Sequence, residues 1–442
     1  MNMASCWSGR LRVGLWVIGL CGVGLTASAA LAQSSFKEAP VIRFDEKKLI
    51  DSYRRGDAAL EKSELPLLTK YAQSYIYKLD DPETLKAQRE NPLSEKALNA
   101  WIDKTVKSMQ FTTPHADLKK PLTQIQKEFN RDYGLALLKV LVEKLQLPQS
   151  TEDANMVRFA ASRILAELGK TGVEQVADVC LAILLNLHIE KYLAGKEEPY
   201  FHLDNLRLGA LRGLEHLMSV REPGMKDGAI RDYDRRLKVV KTLILFIETP
   251  FPPVDPENLG AIQYLRRYAI RALGHEPKAI LKDRAGEVQP ATTLMRVIAD
   301  DKRMLPPVSR YEQFEAAIGF CRMEQPLNIR GDIACVGLGT TILQLAAFKA
   351  QNPGDKSLPW KVCATRLNYE INAWPTHMPP KQQEIARELV KRTSNDILAK
   401  LADNQAPSGL NELNNWLKAT ASKLPEQLLL YDGVKTSQIE PR

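Results

Sequence analysis

Residues 155–170 read NMVRFAASRILAELGK, and the same pattern recurs twice further along the chain. Residues 204–218 read DNLRLGALRGLEHLM, and residues 263–275 read QYLRRYAIRALGH. The first arginine of each copy gives a common reference point: Arg158, Arg207 and Arg266. In every copy an alanine follows three residues later, a second arginine five residues later and a leucine seven residues later. We therefore treat the three stretches as one repeated helix.

A single apolar face explains this pattern. At 100° per residue, Val157, Ala161, Ile164 and Leu168 fall on one arc of an α-helix. A helix with one apolar stripe needs a partner, and an apolar stretch precedes each copy, at residues 132–147, 173–193 and 235–248. A degraded fourth copy, at residues 309–323, keeps the alanine and apolar positions but lacks both arginines. We predict a series of packed helix pairs.

Helix pairs repeated at this interval are typical of an α-solenoid. The form V-R-x-x-A-x-x-x-L, at residues 157–165, resembles the second helix of HEAT repeats, and the resemblance covers residues 121–324, near half of the chain. It implies an all-α fold in which the pairs stack as an α-α superhelix. We expect residues 33–113 to form a helical cap before the repeats. Residues 325–442 are expected to form a C-terminal helical region with a frayed tail.

The two arginine positions have different expected roles. The first position, occupied by Arg158, Arg207 and Arg266, borders the apolar stripe. By resemblance to HEAT repeats it is a structural ladder that pairs with acids of a neighbouring repeat, and Asp153 and Asp204 lie near two of these arginines. The second position, occupied by Arg163, Arg212 and Arg271, points away from the stripe. If these helices line a concave face, the three side chains form a positive row that binds carboxylates or phosphates. The alternative is a solvated helix face.

The histidines carry a weaker signal. His216 and His275 occupy the same slot of the repeat, nine residues after the reference arginine. Two copies of a surface residue can line a groove, although common ancestry of the repeats explains the coincidence equally. No pair of histidines has metal-ligand spacing on one helix, so we predict no metal site. Motifs for nucleophilic catalysis, phosphate binding or zinc hydrolysis are also missing, so no cofactor is expected and a non-catalytic protein is favoured over an enzyme.

The N-terminus predicts export. Residues 1–32 combine Arg10 and Arg12 with an apolar run at residues 13–25 and a small-residue site at Ala30 and Ala32, as in a secretory signal peptide. The alternative is an uncleaved anchor helix. No further membrane span is expected. Outside the cytoplasm disulfides are possible, and one is expected among three C-terminal cysteines: Cys321, Cys335 and Cys363. Cys180 lies in an apolar helix and is expected to be a buried free thiol.

These observations favour an exported, non-catalytic interaction scaffold that binds a protein or another acidic partner. The formal net charge of +8 is modest for 442 residues, so it favours acidic partners without indicating nucleic acid. The alternative is an enzyme or small-ligand-binding protein with its site in the C-terminal region, near Trp360, Trp374 and His377. Core packing is the competing explanation for that aromatic cluster.

Overall fold

The computed structural model describes residues 37–109, 123–147, 151–200, 204–220, 229–250 and 256–442. The predicted signal peptide, residues 1–32, lies outside this part of the chain. Residues Lys37–Arg442 form one compact unit with a continuous core of buried hydrophobic side chains.

The described chain is predominantly helical, which confirms the all-α class. The helices up to the third copy of the repeat are α1 Phe44–Arg55, α2 Leu65–Ile76, α3 Pro82–Glu90, α4 Leu98–Met109, α5 Gln124–Leu145, α6 Glu152–Leu168, α7 Gln175–Leu184, α8 Ile189–Leu193, α9 Arg207–Ser219, α10 Tyr233–Glu248 and α11 Pro256–Leu273. The later helices are α12 Pro290–Ile298, α13 Arg310–Arg322, α14 Gly331–Gln351, α15 Trp360–His377, α16 Gln383–Thr393, α17 Lys400–Ala402 and α18 Leu410–Ala421. Two short antiparallel hairpins complete the fold: β1 Leu281–Asp283 with β2 Gly286–Val288, and β3 Leu428–Leu429 with β4 Gln438–Ile439.

The three copies of the repeat are α6, α9 and α11, and α13 is the degraded fourth copy. The alanines and leucines of the repeated pattern are fully buried, as the apolar stripe predicts: Ala161, Leu165, Ala210, Leu214, Ala269 and Leu273. Helix α6 packs against α9, α9 against α11, and α11 against α13. Each of the four also packs against a longer helix just before it in the chain, namely α5, α7, α10 and α12. The five-residue helix α8 lies between α7 and α9.

Close contact between neighbouring repeat helices depends on small residues. A Cβ atom added to Gly169, just beyond α6, would lie 2.2 Å from the carbonyl oxygen of Gly213 in α9. Gly274 and Gly319 make a second close contact, where an added Cβ on Gly274 would lie 2.7 Å from the Cα of Gly319. Backbones can approach this closely only where no side chain intervenes.

Two local expectations need correction. The predicted helix at residues 173–193 is interrupted after Leu184, because Asn186 adopts a positive φ of 54° and the chain turns before α8. The tail, expected to be frayed, is ordered instead. Tyr431 is fully buried, and its hydroxyl donates a hydrogen bond to Gln325 (3.1 Å). The Arg296 guanidinium donates to the carbonyl oxygen of Thr436 (2.7 Å).

The expected disulfide is also corrected. Cys180, Cys321, Cys335 and Cys363 are all free thiols, and all four are buried. The three C-terminal cysteines lie on α13, α14 and α15, where each packs as a small apolar side chain.

Helix α14 is the one helix among the described residues that is long and apolar enough to cross a membrane. Its mean hydropathy is 1.5, and 56% of the apolar window is buried inside the protein. A buried core helix can be equally long and apolar, so length and composition do not show that α14 crosses a membrane.

Candidate functional site

The first arginine position holds neighbouring copies together from inside the protein. Arg266 is fully buried, and its Nε donates to Glu312 Oε1 at the start of α13 (2.6 Å), while its Nη1 donates to the carbonyl oxygen of Pro306 (2.9 Å). Arg158 is equally buried but meets an amide, since its Nη2 donates to Asn205 Oδ1 (3.2 Å). Burial lowers the pKa of Arg158. Arg207, the third member, is half-buried.

Arg266 meets an acid of a neighbouring repeat, as expected, but Asp153 does not pair with Arg158. Asp153 lies on α6, but it forms its ion pair with Arg89 of α3 and not with Arg158. The acid that Arg266 contacts comes from the following repeat, at the N-terminal end of α13, the degraded fourth copy. A carboxylate at that end also faces the positive pole of the helix dipole, which adds to its stability there.

The second arginine position makes contacts within the chain that the sequence did not predict. Instead of a free positive row, these arginines contact polar side chains of adjacent helices. Arg163 Nη1 donates to Asn99 Oδ1 in α4 (2.9 Å), and Arg212 lies 3.6 Å from Glu167 of α6. Arg271 lies 2.5 Å from Glu215 of α9.

These pairs continue towards the C-terminus and form a charge ladder across successive repeat helices. Glu315 of α13, which is almost fully buried, lies 3.9 Å from Arg271 and accepts a hydrogen bond from Arg366 of α15 (3.0 Å). We call these residues the charge ladder: Glu167, Arg212, Glu215, Arg271, Glu315 and Arg366. Because each arginine lies beside an acid of the same chain, the ladder presents little unbalanced charge to a ligand.

The two histidines do not line an open groove together. His216 Nδ1 lies 2.7 Å from the carbonyl oxygen of Ala166, so its ring faces helix α6. Burial lowers the pKa of His216. His275 lies just beyond the end of α11 and is half-buried.

The C-terminal aromatic cluster is part of the core. Trp374 is fully buried, and its ring centroid lies 6.1 Å from that of Phe320. Trp360 packs between Phe314 (5.8 Å) and Phe348 (6.2 Å). The two tryptophans lie at opposite ends of α15, about 21 Å apart along its axis at 1.5 Å per residue. Trp360, Trp374 and His377 therefore do not converge on one pocket.

A large cavity lies elsewhere, between α11, α13 and α14. Its volume is about 690 Å³. Helix α11 contributes Gln263, Tyr264 and Arg267, the start of α13 contributes Arg310 and Tyr311, and α14 contributes Gln344 and Phe348. Arg442 of the tail also lines it. We call this cavity the arginine groove.

Two arginines of the groove have no ion-pair partner among the described residues. The Arg267 guanidinium lies between two tyrosine rings, 4.1 Å from the centroid of Tyr311 and 4.6 Å from that of Tyr264. The Arg310 guanidinium lies 3.5 Å from the ring centroid of Phe348. Stacking of this kind occupies the face of a guanidinium and leaves its N–H edge available for hydrogen bonds.

Three further features describe the chemistry of the groove. Asp300 is the one acidic residue among the described lining residues, and it lies 3.8 Å from Arg442 Nε. No lysine, histidine or cysteine is among them. Ser309 is held in the capping box of α13, where its hydroxyl donates to Glu312 (2.7 Å). The groove is therefore equipped to hold an anion through forked hydrogen bonds, rather than to activate a nucleophile.

The residues of the arginine groove were not predicted from the sequence, although two short segments place an arginine close to a tyrosine. Arg267 belongs to the YLRRY string at residues 264–268, which places tyrosines one turn before it and one residue after it. Arg310 and Tyr311 are adjacent, but Phe348 lies on a different helix. Proximity across helices cannot be deduced from spacing along the chain.

Across the described residues, no group of three or more His, Cys, Asp or Glu side chains is arranged to hold a metal ion. Comparison with protein-family models, with curated proteins and with solved structures finds no match to this chain.

Proposed function

We propose that this protein is an exported, non-enzymatic scaffold with a HEAT-like α-α superhelix, and that it binds an acidic segment of a partner protein in the arginine groove. One observation carries the binding proposal. The guanidinium groups of Arg267 and Arg310 are stacked on aromatic rings, have no ion-pair partner among the described residues, and line the same cavity of about 690 Å³.

The superhelix is supported by the order of helix contacts. Each repeat helix packs against the repeat helix before it and against its own preceding helix, which is the neighbour pattern of a stacked array. The buried Arg266–Glu312 pair and the charge ladder join consecutive members of the row. Export is supported by the sequence pattern of residues 1–32.

An acidic protein segment suits the groove for three reasons. Arginine and tyrosine are the residue types most enriched where protein interfaces bind strongly. A stacked guanidinium loses little side-chain entropy when it binds a carboxylate, because its position is already fixed. The groove is also open enough for a chain to lie along it, since Tyr264 remains 39% exposed.

The proposal is tested with an acetylated octaglutamate peptide and an octaglutamine peptide of equal length. We expect the full chain to bind octaglutamate and not octaglutamine in isothermal titration calorimetry. The double substitution of Arg267 and Arg310 to alanine is expected to weaken binding at least about tenfold, since each charged hydrogen bond contributes roughly 1.5–3 kcal/mol.

A matched control removes the same net charge away from the groove. Arg55 and Arg387 are exposed and contact Asp57 and Gln383, respectively. Their double substitution to alanine is expected to leave octaglutamate binding unchanged. Equal weakening in both double variants would mean that binding depends on net charge alone, and the groove would then not be the site.

A further inference from the structure

A second cavity, of about 180 Å³, adjoins the arginine groove. Its walls are mostly apolar and come from α12, α14 and the ordered tail, including Met295, Ile298, Val336, Leu428 and Ile439. Ala299, Gln344 and Arg442 line both cavities, so the two share a wall. We call the second one the apolar cavity.

One face of α14 connects the two cavities. Gly337, Thr341, Gln344 and Phe348 follow one another at helical spacing and therefore lie on one side of the helix. Gly337 and Thr341 line the apolar cavity, Gln344 lines both cavities, and Phe348 lines the groove beneath Arg310. From Gly337 to Phe348 the helix rises about 16 Å.

This distance matches a short extended peptide. An extended chain advances about 3.3 Å per residue, so residues four positions apart lie about 13 Å apart and residues five positions apart about 16 Å, and both fit within this rise. Side chains alternate between the two faces of an extended chain, so only a separation of four places both on the same side. A side chain at one end of such a peptide can reach Arg310 while the other end reaches the apolar cavity.

The size of the apolar cavity indicates what that second side chain is. An apolar protein cavity of about 150 Å³ holds one benzene molecule, so about 180 Å³ suffices for the side chain of Phe, Leu or Met. A large apolar residue buried in a pocket beside a charged contact is the usual composition of an interface anchor.

We propose that the partner segment binds in an extended conformation and carries an acidic residue and a large apolar residue four positions apart. The carboxylate contacts Arg310, and the apolar side chain fills the apolar cavity. This inference rests on the proposed function, since it specifies the acidic segment that the groove would hold.

The test uses acetylated, amidated pentapeptides. The probes are Glu-Gly-Ser-Gly-Phe and its reverse, Phe-Gly-Ser-Gly-Glu, because the cavities do not define chain direction. We expect one of them to bind at least about tenfold more tightly than the same peptide with Phe replaced by Ala, in line with the burial of one aromatic side chain. Moving Phe one position closer to Glu should remove this advantage, because the side chain then points away from the cavity.

Two substitutions that fill the apolar cavity test whether the Phe side chain binds there. Val336→Phe and Thr340→Leu both add volume to its α14 wall. In each variant that retains the wild-type thermal unfolding transition, the Phe peptide is expected to bind no better than the Ala peptide. The affinity of the Ala peptide itself should not change.

The outcomes separate the two proposals. Equal binding of the Phe and Ala peptides, with both weakened by Arg310→Ala, would overturn this inference and leave the acidic-segment proposal standing. Binding unaffected by Arg310→Ala would count against both proposals. No binding of any pentapeptide up to about 1 mM, while octaglutamate still binds, would overturn this inference alone. Binding of octanoate without binding of the peptides would replace the extended segment by an anionic amphiphile.

Discussion

Arg271 of α11 lies 2.5 Å from Glu215 of α9 and 3.9 Å from Glu315 of α13, so one guanidinium joins three consecutive repeat helices. Both acids are largely buried, with side-chain exposures of 7% and 1%. Burial raises the pKa of Glu215. Glu315 also accepts a hydrogen bond from Arg366, so Glu215 is the carboxylate that depends most on Arg271.

Arg271→Ala is therefore expected to destabilise the protein by about 2 kcal/mol, because it removes the arginine 2.5 Å from the largely buried carboxylate of Glu215, whereas Glu315 keeps Arg366. The free energy of unfolding, from urea denaturation followed by circular dichroism, is the measurement. Arg163→Ala is the matched control, since Arg163 is exposed and its hydrogen bond among the described residues goes to the neutral amide of Asn99. Its expected cost is below about 0.5 kcal/mol.

A second substitution distinguishes charge from packing. Adding Glu215→Gln to Arg271→Ala should recover about half of the lost stability, because a neutral amide costs less to bury than an unpaired carboxylate. If the double variant is as unstable as Arg271→Ala alone, the arginine contributes through packing rather than through its charge.

The repeat helices could be predicted from sequence because their information is local. The alanine and leucine positions of α6, α9 and α11 recur at fixed spacing, and all are buried. The partners of the second arginine could not be predicted in the same way. Glu167, Glu215 and Glu315 occupy different slots of the repeated pattern, so the offset between stacked helices decides which acid each arginine meets.

The arginine groove and the tail also depend on contacts that could not be predicted from a local sequence pattern. Arg310 and Phe348 meet only because α13 and α14 pack together, and each residue alone is unremarkable in the sequence. The tail has no helical periodicity, and it is ordered by the distant side chains of Arg296, Asp301 and Arg303. Contacts between residues far apart in sequence leave no local pattern.

The close contacts of glycine between repeat helices predict a position-specific sensitivity. Gly274→Ala should destabilise the protein by roughly 1–3 kcal/mol, because the added Cβ would lie 2.7 Å from the Cα of Gly319 and the backbones must separate. Gly260→Ala, in the second turn of α11, is the control, since no atom of the described residues lies within 4 Å of its added Cβ. That change should stabilise the helix by about 0.5–1 kcal/mol. Thermal unfolding of the two variants should shift in opposite directions, and shifts in the same direction would contradict the packing argument.

The four buried cysteines should resist modification in the folded protein. Burial raises the pKa of Cys363 to about 12, and it also raises the pKa of Cys180, Cys321 and Cys335, so none supplies a reactive thiolate near neutral pH. Labelling with N-ethylmaleimide, mapped by peptide mass spectrometry, should leave all four unmodified at pH 7. After unfolding in urea all four should react. A disulfide-linked pair of peptides from the native protein would contradict the free-thiol assignment.

Asp301 is expected to hold the tail in place. It is fully buried, Oδ1 accepts from Arg303 Nε (2.9 Å), and Oδ2 accepts from the backbone N–H of Glu440 (3.0 Å). Burial alone would raise the pKa of Asp301, but the hydrogen bonds from Arg303 and Glu440 hold it below the ordinary value. Stability from such a group is present above the unfolded pKa, near 3.9, and is lost as pH falls through the folded value.

Asp301→Asn should therefore loosen the tail already at pH 7. Arg303 and the Glu440 N–H donate to different oxygens of Asp301, and an asparagine keeps one oxygen and replaces the other by an NH₂ group, which cannot accept. Hydrogen exchange of the Glu440 amide is the direct measurement, and its protection factor should fall about tenfold, as for one lost hydrogen bond to a charged group. Asp432→Asn is the control within the same tail, since Asp432 is 65% exposed and lies 3.6 Å from Arg330. In the wild-type protein the protection should fall in the same way only below pH of about 4. A Glu440 amide equally protected in the Asp301→Asn variant would show that the hairpin and Tyr431 hold the tail without this carboxylate.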